Sequence, residues 1–188
     1  MPVEFDDHPF WDFSLAVYGT AGVPPACLEL QERHGIDVNV MLFCTWTGAS
    51  GRGAMSEAEL RSALDAVAEW NSVVVCGMRA IRRRMKEGMP PVPVERSEAL
   101  RKVLMKLEVD CEHAEQLALA GAVERPTDET MDVGRRAADA VGNIAAYFAL
   151  RGVRTDEADA ANLATILAPA LPGMDGETLR AIWRSAAA

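Results

Sequence analysis

The chain has 188 residues, enough for one well-packed domain or two small ones, and its 49% hydrophobic and 25% charged content excludes a disordered polymer. The formal net charge is −9, with 8 basic against 12 acidic residues over 1–88 and 11 against 16 over 89–188, so neither half offers nucleic acid or an anionic membrane an attractive field. No uncharged run reaches the roughly 20 residues of a membrane span, and the acidic start Met-Pro-Val-Glu-Phe-Asp-Asp lacks the basic and apolar regions of a signal peptide, so a cytosolic protein is expected.

Taken in chain order, the sequence reads as helix nearly throughout. Pro9 to Tyr18 is a first short helix, ended by Gly19. Pro24 and Pro25 open a second, which runs to His34 and stops at Gly35. Asp37 caps a third, Val38 to about Thr47, which is apolar around its whole circumference and therefore central. Gly48 to Gly53 is a flexible loop without the Lys-Ser/Thr of a phosphate loop.

Ser56-Glu-Ala-Glu59 is a capping box that opens a long helix, running to about Lys86. Leu64, Val67, Val74, Met78 and Met85 fall within about 40° of Leu60 at 100° per residue, and Gly77 marks a bend. Met89 to Val94 is a proline-rich linker. Ser97 to about Ala120 follows, with Leu100, Leu104, Leu107, Cys111, Ala114 and Ala118 as the expected core stripe. Asp128 to Leu150, Thr155 to about Pro169 and Gly176 to Ser185 complete the set. Alternating strand patterns are nearly absent. The fold class expected is all-α, a single domain over 1–188 with seven or eight helices; a subdomain boundary at 89–94 is the fallback.

No constellation of established chemistry stands out. Asp110 and His113 share the i, i+3 spacing of di-iron bundles, but they lie near 280° and 220° from the Leu100 stripe and no second helix supplies a matching Glu-x-x-His. They read as a solvated face, and no metal or cofactor is expected. Glu108, Glu112 and Glu115 read as a salt-laced surface against Arg101, Lys102 and Lys106, with Glu108 and Glu115 bordering the core. Arg79, Arg82, Arg83, Arg84 and Lys86 sit at a helix C-terminus, where cations suit the macrodipole; a docking patch for an acidic partner or phosphate is the alternative. The four cysteines form no Cys-x-x-Cys pair and read as free thiols, with Cys44, Cys76 and Cys111 packed.

The amides carry more. Asn39 interrupts the apolar third helix, and Asn71 falls in the middle of the long helix's apolar stripe. A buried amide without partners costs a few kcal/mol, so both need hydrogen bonds. Either they form an internal network that fixes helix register, or they orient a ligand in an apolar pocket. The candidate binding residues are Gln31, Asp37, Asn39, Trp46 and Asn71.

Around these residues the chain resembles a bacterial domain-of-unknown-function family. The matching positions are Trp11, Phe13, Ser14, Tyr18, Gly22, Val23, Cys27, Leu28, Gln31, Gly35, Asp37, Val38, Asn39, Leu42, Phe43 and Trp46. The resemblance implies a small cytosolic helical protein with no established activity, and it names no catalytic residue. Two functions remain open. One is a non-enzymatic interaction or regulatory module with a protein partner. The other is an enzyme or carrier for a small, largely apolar ligand in an interhelical pocket, its polar head held by Gln31, Asp37, Asn39 and Asn71.

Overall fold

The computed structural model describes residues 3–186. Helix α1 (Pro9–Tyr18) opens on a proline, with His8 Nδ1 accepting from the Phe10 N–H. Helix α2 (Val23–His34) stops at Gly35, whose φ of +62° lies in the left-handed region that glycine adopts without strain. Helix α3 (Val38–Ala49) is capped by Asp37, which accepts from the Asn39 N–H at 2.8 Å.

Eleven of the twelve α3 residues are buried, as the apolar circumference requires. The principal neighbour of α3 is α7 (Val133–Leu150). A Cβ on Gly48 would stand 2.1 Å from the Ala140 nitrogen and 2.4 Å from its Cα, so the two backbones touch where they cross. Asn143 of α7 is buried and holds the turn beyond α3: its Oδ1 accepts from Met55 N–H at 2.7 Å, and its Nδ2 donates to the Cys44 and Gly53 carbonyls. Helix α7 is capped by Asp132 rather than begun at Asp128, which instead binds Gly51 and Thr130.

Helix α4 (Glu57–Glu69) opens on the expected capping box of Ser56 and Glu59. It continues through a π-helical stretch, Trp70–Val75, into α5 (Cys76–Met85). The irregularity therefore precedes Gly77. A π turn inserts an extra residue, which rotates everything beyond it by about one residue's 100°. Val75 is accordingly buried where Val74 was expected, and Arg79 takes the direction that an unbroken helix gives Met78. Counted as one rod, α4 to α5 makes eight helices among the described residues, and no strand is present among them.

Helix α6 (Val94–Ala122) departs most from expectation. Its buried residues are Ser97, Glu108, Glu115, Gln116, Leu119 and Ala120, whereas Leu100 and Leu107 of the expected core stripe are 56% and 41% exposed. The helix has turned its carboxylates inward. Helices α8 (Glu157–Ala170) and α9 (Gly176–Ala186) close the structure, with Arg33 of α2 bound to Asp156 and Asp159 at the start of α8. One hydrophobic core runs from Phe10 to Trp183, on both sides of the 89–93 linker. None of the described helices is long and apolar enough to cross a membrane. All four cysteines are free. Cys27 and Cys44 are buried, but Cys111 is only half-buried, its thiol against Met78 of α5, and Cys76, just past the π stretch, is exposed.

Candidate functional site

The inward face of α6 meets arginines from α5. Arg79 donates through Nε to Glu108 at 3.1 Å, through Nη2 to Glu112 at 2.7 Å and through Nη1 to Gln31 of α2 at 2.6 Å. Arg82 binds the two oxygens of Glu108. A buried carboxylate persists only when charge and hydrogen bonds compensate its lost water. Burial pushes Glu108 upward, but the bonds from Arg82 and Arg79 outweigh it and hold the carboxyl below the usual range. Glu112, with Arg79 alone, is left raised by burial. These glutamates are neither surface residues nor partners of Arg101, Lys102 and Lys106. Arg79 and Arg82 belong to the interior instead of a docking patch.

Next to this hub runs a chain of polar side chains. Gln116 Nε2 donates to Asn39 Oδ1 at 2.9 Å, and Asn39 Nδ2 donates to Glu115 Oε2 at 2.7 Å. The Glu115 and Asp37 carboxyls lie near enough for each to perturb the other's charge. Asn71 Nδ2 donates to Asp37 Oδ2 at 2.7 Å, and the Cys76 thiol lies 3.5 Å from Asn71 Oδ1. The Tyr147 hydroxyl accepts the Asp37 N–H at 2.8 Å. Two carboxyls bond to each other only by sharing a proton. Asp37 already accepts backbone N–H groups at the start of α3, where negative charge is favoured. Burial raises both carboxyls, and burial followed by the Asp37 charge pushes Glu115 up to about 8, so the pair retains a proton that neither group would hold in water.

Five helices then present one face each to a cavity of about 410 Å³. Helix α1 contributes Trp11, Ser14, Leu15 and Tyr18, spaced i, i+3, i+4, i+7, so they share a face. Leu28 and Gln31 of α2, Val38, Asn39 and Leu42 of α3, and Met105 and Val109 of α6 complete a wall that is mostly apolar. Its polar end is formed by Arg79, Arg82, Arg83, Glu108, Glu112 and Gln116. Two of the lining residues each hold a buried oxygen, Ser14 Oγ and Gln116 Oε1, that has no hydrogen-bond partner among the described residues. A second, more polar cavity of about 730 Å³ lies on the other side of Asp37 and is lined by Asn71, Cys76, Tyr147 and Arg151, among others.

A family model described as a protein of unknown function (DUF2390) matches residues 9–119. The chain belongs to this family. The DUF2390 match contains every residue lining the first cavity and every carboxylate and amide of the polar chain; Tyr147 and Arg151 lie outside it. No curated protein and no solved structure matches the chain.

Of the five candidate residues, the structure brings four together. Gln31 reaches Arg79, Asp37 reaches Asn71, and Asn39 links Glu115 to Gln116. Trp46 lies apart and lines neither cavity. It packs against Phe10 and Phe43, with the Arg52 guanidinium 4.1 Å from its ring centroid. His113 is not on a solvated face: its ring stacks on Trp11 at 4.0 Å, 4.4 Å from Phe5, and burial lowers its pKa. Among the described residues no group of three or more His, Cys, Asp or Glu side chains is placed to hold a metal. Ser14, which the sequence marks only as a position of the family resemblance, and Gln116 and Tyr147 are not among the candidate binding residues read from the sequence. The helical spacing of Ser14 with Trp11 and Tyr18 was the available signal; Gln116 and Tyr147 offered none short of the fold.

Proposed function

We propose that this chain binds a small, largely apolar molecule bearing one neutral hydrogen-bonding group, such as a hydroxyl, in the cavity between α1, α2, α3, α5 and α6. The observation that carries the reading is that two residues lining the cavity, Ser14 and Gln116, each hold a buried oxygen, Oγ and Oε1, with no hydrogen-bond partner among the described residues, while the charged groups of the lining are largely paired with one another. A buried polar atom without a partner costs about 1–3 kcal/mol, so two of them on one cavity favour an occupant that satisfies both. A hydroxyl suits them: it donates to the Gln116 carbonyl and accepts from the Ser14 hydroxyl. The volume lies within the usual range of small-molecule sites, roughly 300–1,000 Å³.

A carboxylate head fits less well. The guanidinium groups that would receive it are committed to Gln31, Glu108 and Glu112, and Arg83 pairs with Glu32. In this reading Asp37, Asn39, Asn71 and Glu115 do not touch the ligand. Their amides and carboxyls bind one another, and Asn39 Oδ1 holds the Gln116 amide through its Nε2 at 2.9 Å. Native mass spectrometry of the purified protein, compared with Val109→Trp, tests the reading. A small adduct or released molecule present in the wild type and lost when the cavity is filled supports it. No ligand and no saturable binding of medium-chain alcohols in either protein would contradict it.

A further inference from the structure

The outward face of α6 carries a pattern of its own. Arg96, Leu100, Val103, Leu107 and Asp110 follow one another at intervals of 4, 3, 4 and 3 residues, the heptad spacing of a helix that pairs with another helix. Leu100 is 56%, Val103 63% and Leu107 41% exposed. These are large apolar side chains in register over two turns, which an unpaired soluble helix does not need. The ends of the seam are charged, and neither Arg96 nor Asp110 forms an ion pair among the described residues.

We propose that two copies of this chain associate through this seam, with their α6 helices antiparallel about a twofold axis at Val103. The positions of the charges select the occupant. Arg96 lies seven residues before Val103 (103 − 96 = 7) and Asp110 seven residues after it (110 − 103 = 7). A twofold axis at Val103 therefore sets each Arg96 against the Asp110 of the other copy, on both sides at once. The same operation sets Val103 on Val103 and brings Leu100 level with the other copy's Lys106, so that Leu107, one residue further along, is its apolar neighbour on the seam. A parallel pairing would oppose Arg96 to Arg96 and Asp110 to Asp110. A twofold interface has to be self-complementary, and this seam is so only in the antiparallel register. Lys102 and Lys106 stand at about 200° and 240° on the Leu100 scale, to one side of the seam centre near 320°.

Sedimentation-velocity ultracentrifugation of the full chain from about 1 to about 100 µM tests this, at ~0.15 M salt so that repulsion between two chains of net charge −9 is screened. A dimer forming over this range is expected. Val103→Lys should weaken it at least tenfold, with circular dichroism unchanged because the side chain is exposed. Arg96→Asp and Asp110→Arg should each weaken self-association, and an equimolar mixture of the two should restore it as a heterodimer. A wild type that is monomeric at the highest concentration overturns the proposal. So does a dimer indifferent to Val103→Lys, or single charge variants that do not recover on mixing.

Discussion

Glu115→Gln probes the centre of the polar chain. Glutamine copies the protonated acid: its amide N–H replaces the shared proton toward Asp37, and its oxygen accepts from Asn39 as before. Glu115 is fully buried, and its pKa is raised from 4.5 to about 8, by burial first and by Asp37 second. The sign follows from which state releases the proton. Below pH 4.5 folded and unfolded chains both hold it, and the stability that the acid contributes is fully present. Between 4.5 and about 8 the unfolded chain releases it while the folded chain keeps it, so each pH unit lowers stability by about 1.4 kcal/mol. At pH 7 the wild type has lost about 3 kcal/mol relative to Glu115→Gln, equivalent to roughly 6–12 °C in Tm for a chain of this size. Thermal melts of both proteins at pH 5, 6, 7 and 8 give the difference for the coupled Asp37–Glu115 pair, because titrating groups remote from it cancel. The difference should widen steadily with pH in favour of glutamine. Melting curves that stay parallel over this range would refute the shared proton.

Other perturbations follow from the packing and the buried charges. Gly48→Ala forces a methyl group to within 2.1 Å of the Ala140 backbone, which cannot yield as a side-chain tip would; a loss of about 1–3 kcal/mol or more is expected in urea melts. Arg79→Met leaves Glu112 without its cation and Glu108 with only Arg82; about 3 kcal/mol or more should be lost at pH 7, and part of it regained on acidification as the carboxylates protonate. Thiol labelling in native buffer should run Cys76 first, Cys111 next, and Cys27 and Cys44 last, since the latter two are buried and burial pushes the Cys27 thiol up to about 12.

The helix boundaries were legible because local chemistry sets them. Asp37 at the start of α3, the Ser56–Glu59 box and the left-handed Gly35 each satisfy backbone groups that a helix end leaves unpaired, and each is visible within four residues. The inward face of α6 was not legible. Its apolar stripe, near 320° to 40° about Leu100, points partly to solvent, while Ser97, Glu108, Glu115 and Leu119 at about 60° to 100° are buried. Periodicity ranks residues by polarity, and a carboxylate counts as buried only once its partner is known. That partner, Arg79, is itself turned inward by the π stretch at Trp70–Val75, an insertion that a fixed 100° step cannot represent. The same slip explains why Val75 replaces Val74 in the interior. Asn39 and Asn71 could be identified as amides in need of partners; that those partners are Glu115 and Asp37 required the tertiary structure.

The central claim is that the cavity accepts a neutral polar group on an apolar body between Ser14 and Gln116. The most direct measurement is calorimetric or fluorescence titration of decan-1-ol and decanoate into the wild type and into Gln116→Leu. Saturable binding of the alcohol, weaker binding of the carboxylate, and a loss of about tenfold or more for the alcohol in Gln116→Leu are expected, since one hydrogen bond to a buried group is worth about 1.4 kcal/mol or more. Equal affinity of the two proteins for the alcohol, or a preference for decanoate, would contradict the account.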